Sequence, residues 1–185
     1  MEEPNIQDIE DILRSQHVID MLTLSNEYAL FMEACADYNT REIIDYLRRV
    51  IPMLYLKGSL IPAVEAADDY ITEKYVSEEH WENVYNTLKE RFDLIPADQW
   101  PAGELRSGEL AELLADVYQD LKDFVVLFQK ALTVEKQNAL ADLGTSYQPF
   151  WGQRLAEMLP LLHTLHGAEF AEGGKPGAWD SLWDE

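Results

Sequence analysis

Apolar residues recur at steps of three and four between Ser107 and Gln129, and this pattern predicts the central helix of the chain. The recurring side chains form one stripe, made of Leu110, Leu113, Leu114, Val117, Leu121, Phe124 and Phe128. Ser107 is expected to cap the helix, because its hydroxyl can accept a backbone N–H of the first turn. A helix of this length is held mainly by what its apolar face contacts, so we expect the fold to be built around it.

The same periodicity predicts further helices on both sides of this segment. They cover 16–38, 41–56, 77–92 and 133–166. Thr40 and Ser77 are expected to cap two of them, and Gly58 is expected to end one in a left-handed conformation. Pro149 favours a kink or a break in the last one, since a residue before proline avoids the helical region. Strand-like alternation is not sustained anywhere. The predicted fold is therefore all-α, a single bundle of five to seven helices with a kinked or broken long C-terminal helix and an acidic tail.

The chain divides by composition into three parts. Residues 1–15 are an acidic N-terminal arm or short helix, and residues 16–166 form the helical domain. Residues 167–185 are an acidic tail with glycines and two tryptophans, Trp179 and Trp183. Tryptophans at this spacing are typical of short acidic segments that fold into a partner's groove, although an incidental tail has the same composition.

The charge balance is the strongest global feature of the chain. It has 14 basic and 35 acidic residues, a net charge of −21. Such a surface disfavours direct binding of duplex nucleic acid and can attract a basic protein, although high charge also serves solubility alone. Cys35 is the single cysteine, so no intrachain disulfide is possible. Without a secretory signal or an apolar run of about 20 residues, we expect a cytoplasmic protein that does not enter a membrane.

Three aspartates of the central helix are the main candidates for chemistry. Asp116, Asp120 and Asp123 follow at spacings of four and three, so they share one flank of the helix. They could bind a divalent cation, or one could carry a proton. Alternatively, Arg154 pairs with them and fixes the register of two helices.

Motifs for other chemistry are absent from the sequence. No Glu-x-x-His pair, glycine-rich phosphate loop or nucleophile elbow occurs, so we expect no metal, no cofactor and no catalytic residue. Arg48 and Arg49 point outward from the helix over 41–56. They could pair with neighbouring acids or contact a partner together with Trp179 and Trp183.

Three stretches of the chain resemble an uncharacterised bacterial family. They are IPMLYLKGSLIP at 51–62, LADVYQDLKDFVVLFQ at 114–129 and FWGQRLAEMLPLLHTL at 150–165. The family is domain-of-unknown-function group 5063, found mostly in Bacteroidetes, and the resemblance covers most of 18–166. It implies a small cytoplasmic helical domain and no particular activity. The resemblance draws attention to Tyr118, Gln119, Asp120, Asp123, Trp151, Gln153 and Arg154.

Gln119 is also of interest for its position on the central helix. With Ala115 and Val126 it lies away from the main stripe, on a second, weakly apolar face that could meet another helix or another subunit. Taken together, these features favour a non-enzymatic interaction protein that binds a basic partner or forms a homodimer. The alternative is a small metal- or ligand-binding helical enzyme that uses Asp116, Asp120 and Asp123.

Overall fold

A computed structural model describes residues 6–67, 74–103 and 105–167 of the chain. These residues form an all-α fold without strands. The helices are α1 (Ile6–Leu13), α2 (Gln16–Glu33), α3 (Thr40–Gly58), α4 (Glu78–Phe92), α5 (Ser107–Phe128), α6 (Thr133–Ser146) and α7 (Gly152–His166). A π-helical turn over Tyr147–Trp151 joins α6 to α7. Within this part of the chain, no helix combines the length and the apolarity that crossing a bilayer requires.

Helix α5 is the centre of the bundle, as the sequence predicted. It packs against α2, α4, α6 and α7. Its apolar stripe is buried or nearly so, and so are Ala111, Ala115 and Val125 on other sides of the helix. Because Ala115 is fully buried within the chain while Gln119 is partly exposed, the second face of α5 is used at least partly for internal packing.

Two of the expected helix caps differ from the observed ones by one residue. Asn39 caps α3: its side chain accepts the Glu42 N–H, and the Glu42 carboxylate accepts the Asn39 N–H. Thr40 lies inside the helix, and its hydroxyl donates to the Arg91 carbonyl at 2.8 Å. Its side chain therefore ties α3 to the end of α4.

Ser107 is likewise the first residue inside α5, preceded by the cap residue Arg106. The Ser107 hydroxyl donates to Asp93 at 2.6 Å, so it links α5 to the residue after α4. Ser77, in contrast, caps α4 as predicted by accepting the His80 N–H.

Gly58 does not form the left-handed cap that the sequence suggested. Helix α3 runs through it, and Gly103 is the glycine with a positive φ among the described residues. Gly58 is needed instead for close packing. A Cβ at this position would lie 2.5 Å from Cε2 of Tyr147 and would also overlap the ring of Trp151. The end of α3 therefore packs directly against these two rings of the π-helical turn.

The long C-terminal helix is bent, as Pro149 predicted. Proline has no N–H to donate to the carbonyl four residues earlier, and the chain makes one π-helical turn at this point. The Gly152 N–H donates to the Tyr147 carbonyl, and the Trp151 indole donates to the Leu143 carbonyl at 3.0 Å. Trp151 is fully buried and stabilises the bend from inside.

The segments beside the main helices are also attached to the bundle. Ile9 and Leu13 of α1 are buried, and α1 packs on α2 and α6. The chain after α3 runs along α6, where Asn138 Oδ1 accepts the Ala67 N–H at 2.7 Å. The proposed tail, with Trp179 and Trp183, lies outside the described residues apart from its first position, so its separation from the domain stays a prediction.

Candidate functional site

The three aspartates of α5 lie on one flank but have different surroundings. Asp116 is held from two sides. Its Oδ1 accepts the Trp81 indole N–H from α4 at 3.0 Å, and its Oδ2 lies 2.9 Å from Nη2 of Arg154 on α7. Asp116 therefore joins three helices and has both oxygens engaged by the protein.

Asp120 lies one turn further along α5. Its Oδ2 is 3.5 Å from Nη1 of Arg154, a longer contact than the one to Asp116. Burial raises the pKa of Asp120, and the nearby charges of Asp116 and Asp123 add to this effect. The positive charges of Lys74 and Arg154 act in the opposite direction.

Asp123 is the most buried of the three, with a side chain 4% exposed. Its Oδ1 accepts two backbone N–H groups, from Tyr75 at 2.8 Å and from Val76 at 2.9 Å. The other oxygen, Oδ2, lies 3.3 Å from Lys74 Nζ, in a contact with the distance of an ion pair but without hydrogen-bond geometry. Asp123 thus anchors the chain just before α4.

A cleft of about 400 Å³ opens beside Asp120 and Asp123, between α5, α6 and the π-helical turn. We call it the α5–α6 cleft. Its polar lining consists of Lys74, Asp120, Asp123, Asp142, Thr145 and Ser146, and its apolar lining consists of Phe124, Leu127, Ala139, Leu143 and Phe150. The cleft combines a negative interior edge with an apolar wall.

With this geometry established, comparison with known proteins identifies the family. The profile of a family described as a domain of unknown function (DUF5063) matches residues 13–168. The chain belongs to the DUF5063 family. The resemblance found in the sequence is therefore confirmed.

A solved relative shares the fold of this DUF5063 chain. The crystal structure of protein BF1032 from Bacteroides fragilis, a structural genomics target, superposes with a TM-score of 0.76 at 29% sequence identity. The match covers 85% of this chain and 99% of that one. No protein with curated annotation matches the chain.

The three α5 carboxylates of the DUF5063 chain are paired with basic side chains inside the fold. Arg154 contacts both Asp116 and Asp120, as the pairing hypothesis expected. Among the described residues, no group of three histidine, cysteine or acidic side chains has the arrangement needed to hold a metal ion. The α5–α6 cleft is where a ligand could contact Asp120 and Asp123.

Other reactive groups in the DUF5063 chain are separate from the aspartates. His166 Nδ1 lies 2.7 Å from Asp45 Oδ1, which connects α7 to α3. Cys35 is buried, and burial raises the pKa of its thiol to about 11. A thiol with such a pKa is almost entirely protonated at neutral pH and is a poor nucleophile.

The remaining predicted residues are placed in several parts of the molecule. Trp151 is in the core, and Gln119 is partly exposed on α5. Arg48 is half-buried on α3 with its Nε 3.6 Å from Asp45, and Arg49 is half-buried beside it. Neither arginine reaches the α5–α6 cleft. Trp179 and Trp183 lie outside the described residues.

The groups that contact the aspartates from elsewhere in the chain were not predicted from the sequence. Trp81 lies within the helix predicted over 77–92, and its indole N–H is a donor that needs an acceptor when it is partly buried. Lys74 lies in a stretch without clear periodicity, and Phe150 follows the proline that bends the last helix. Nothing in the local sequence links these residues to α5.

Proposed function

We propose that this DUF5063 chain is a non-catalytic interaction domain that binds a basic protein partner. The observation that carries this proposal is the distribution of charge between the surface and the contacts inside the fold. Among the residues that the structure describes, most acidic side chains are exposed, whereas most basic side chains are half-buried. The exterior of the domain is consequently more negative than a random arrangement of its charges would make it.

Internal contacts engage the basic residues in each part of the bundle. Lys57 pairs with Asp20 at 2.6 Å, Lys122 pairs with Glu33 at 2.7 Å, and Arg91 donates to the Ala36 carbonyl. Among the described residues, the exposed basic ones are Arg14, Lys74 and Arg106. The exposed acidic ones are Asp8, Asp11, Glu27, Glu33, Asp37, Glu65, Glu78, Glu79, Glu82, Glu90, Asp93, Asp98, Glu109, Glu112 and Glu157.

The start of α4 is the part of this surface that best fits a basic partner. Glu78, Glu79 and Glu82 are exposed there, and we call them the α4 acidic face. Trp81 and Tyr85 stack beside them, with ring centroids 5.2 Å apart and planes inclined by 7°. Both rings are partly exposed. Carboxylates next to accessible aromatic rings suit arginine, which forms ion pairs and also lies against ring faces.

Charge also favours a basic partner over a homodimer. Two copies of a chain with a net charge of −21 repel each other when their exposed acids approach. A basic protein is attracted instead, and its association rate falls as salt screens the interaction. We include a cytoplasmic location in the proposal, because a single buried thiol suits a reducing compartment.

Affinity purification of the tagged 185-residue chain from its native lysate would test the proposal. Proteins retained at about 50 mM salt and released at about 500 mM salt would be identified and purified, and their binding to the chain would be measured directly. We expect at least one strongly basic protein that binds in the recombinant assay. A chain that remains a salt-insensitive monomer and binds none of the candidate proteins directly would contradict the proposal.

A matched pair of variants separates a specific face from total charge. The first replaces Glu78, Glu79 and Glu82 with glutamine, and the second makes the equivalent changes at Asp8, Glu27 and Glu157. Both remove three negative charges from exposed positions. We expect the first variant to weaken partner binding more than the second. Equal effects would show that the partner responds only to the overall field.

A further inference from the structure

The α5–α6 cleft contains a buried carboxylate oxygen that is poorly matched by its surroundings. Asp123 Oδ2 is shielded from solvent and receives no hydrogen bond in the described structure. Its charged neighbour is Lys74 Nζ at 3.3 Å, on a side chain that is 62% exposed. A buried anion is therefore matched by a cation that remains largely in water.

This arrangement makes Lys74 replaceable. An ion pair with a largely solvated lysine contributes little, since the ammonium keeps most of its hydration and pays side-chain entropy when it is held in place. A carboxylate removed from water, by contrast, needs a well-matched positive partner. The Lys74 ammonium thus marks a position where a cation from another molecule can bind more favourably.

The rest of the cleft defines the chemistry of such a cation. Asp120 supplies a second carboxylate at the same edge, and Asp142 contributes to the lining. The apolar wall includes Phe124, Leu127 and Phe150, and the Phe150 side chain is 55% exposed. A small inorganic ion would leave this wall unused. An alkyl stem that carries a planar cationic group would use the wall and both carboxylates.

We propose that the α5–α6 cleft binds an arginine side chain, which displaces Lys74 from Asp123 and pairs with Asp120 while its stem lies against Phe124, Leu127 and Phe150. This inference rests on the proposed function, because the arginine belongs to the basic partner. It assigns that partner a second contact, in addition to the α4 acidic face. The cleft also supplies specificity that long-range charge attraction does not provide.

The direct test uses the 185-residue chain and a defined probe, the acetylated and amidated tripeptide Leu-Arg-Leu. Its control is the same peptide with citrulline in place of arginine, which keeps the shape and removes the charge. Binding would be followed by amide and methyl chemical shifts in NMR titrations. We expect the arginine peptide to shift signals of Phe124, Leu127 and Phe150, and the citrulline peptide to bind at least about threefold more weakly.

Three variants then test the roles of the individual charges. We expect Asp120→Asn to weaken peptide binding by about three- to tenfold, as expected for loss of one charge-assisted contact. Lys74→Ala should strengthen binding, because it removes the internal competitor. Glu112→Gln changes one exposed charge on the same helix outside the cleft and should have no effect. Thermal melts would establish that each variant is folded.

Several outcomes would overturn the inference. Equal binding of the two peptides, shifts confined to residues away from the cleft, or weaker binding in Lys74→Ala would each exclude the proposed arginine site. Shifts of the same residues by magnesium or calcium chloride, with no response to the peptide, would assign the cleft to a metal ion instead.

The proposed function and the cleft can fail independently. If Asp120→Asn leaves binding of a purified basic partner unchanged while the triple variant of the α4 acidic face weakens it, the cleft inference is wrong and the function stands. If the peptide binds in the cleft but no basic partner binds the chain, the function is wrong and the cleft is a site for an arginine-containing ligand of another kind.

Discussion

Arg154 on α7 bridges Asp116 and Asp120 on α5, with guanidinium nitrogens 2.9 Å and 3.5 Å from the two carboxylates. One cation thus serves two acids that lie a helical turn apart. Trp81 binds the other oxygen of Asp116, so α4 is connected to the same group. The arrangement fixes the positions of α4 and α7 relative to the central helix, and it defines one boundary of the region that leads to the α5–α6 cleft.

Replacing Arg154 with alanine is expected to destabilise the fold by about 1–3 kcal/mol, because it leaves two partly buried carboxylates without their shared cation. Arg154→Lys keeps the charge but cannot reach both acids with a planar group, so we expect a smaller loss. Urea denaturation of both variants and the parent chain would measure the free energies of unfolding. A change near zero for Arg154→Ala would show that the bridge does not contribute to stability.

Gly58→Ala is expected to destabilise the fold by about 1–3 kcal/mol, the range for overpacking, because the added methyl group overlaps the rings of Tyr147 and Trp151. Gly144→Ala is the matched control. It also lies in a helix, and the nearest atom to its Cβ, Ile61 Cγ2, is 3.4 Å away, so the gain in helix propensity should make it neutral or stabilising. In thermal melts, we therefore expect Gly58→Ala to lower the melting temperature and Gly144→Ala to leave it unchanged or raise it. Similar melting temperatures would contradict the packing argument.

Asp123→Ala is expected to cost more stability than Asp123→Asn. Alanine removes the acceptor of the Tyr75 and Val76 N–H groups, and the Val76 N–H is buried. An unsatisfied buried donor costs about 1–3 kcal/mol, whereas asparagine retains one oxygen that can accept both bonds. Hydrogen exchange followed by NMR should show faster exchange of the Val76 amide in the alanine variant than in the asparagine variant. Equal exchange rates would show that the backbone before α4 does not depend on Asp123.

Asp120 and Asp93 are expected to titrate in opposite directions from the usual aspartate value of 3.8. Burial raises the pKa of Asp120, and hydrogen bonds from Lys89 and Ser107 lower the pKa of Asp93. Carboxyl carbon NMR as a function of pH would measure both. A pKa of Asp120 at or below that of Asp93 would contradict the environment described for the cleft.

The pKa shifts of Asp120 and Asp93 also determine how the free energy of unfolding changes with pH. The folded chain binds the Asp120 proton more tightly than the unfolded chain, so the contribution of Asp120 to the free energy of unfolding falls as pH rises from 3.8 through its raised pKa. The contribution of Asp93 to the free energy of unfolding is fully present above pH 3.8. It is lost as the pH falls through the lowered pKa of Asp93. Unfolding measured across acidic pH should show Asp120→Asn gaining stability relative to the parent chain as pH rises through this window.

The periodicity of the sequence was sufficient to predict the helices and the central position of α5. A stripe at steps of three and four can be buried only if other helices cover it, and the repeat is a local property of the chain. The bend near Pro149 was predictable for the same reason, because the hydrogen bond that proline cannot donate is lost within the same helical turn. The net charge was also fixed by composition, and it led to the expectation that binding of duplex nucleic acid is disfavoured.

The helix ends were predicted less accurately because neighbouring polar residues compete for the same role. Asn39 and Thr40 are both good caps, and the backbone geometry selects Asn39, which leaves the Thr40 hydroxyl to bind the Arg91 carbonyl. Gly58 was assigned a conformational role from its place at the end of a helix. Only the packing of α3 against the aromatic rings shows that it is needed for its small size.

The sequence alone determined which side chains share a face, since that depends on the helical repeat, and it therefore placed Asp116, Asp120 and Asp123 together. Only the tertiary structure decided what meets them. Trp81, Arg154 and the backbone before α4 arrive from positions about 30 to 50 residues distant in the chain. Electrostatic and hydrogen-bond partners act through distances of a few ångströms, and those distances exist only after the helices have packed.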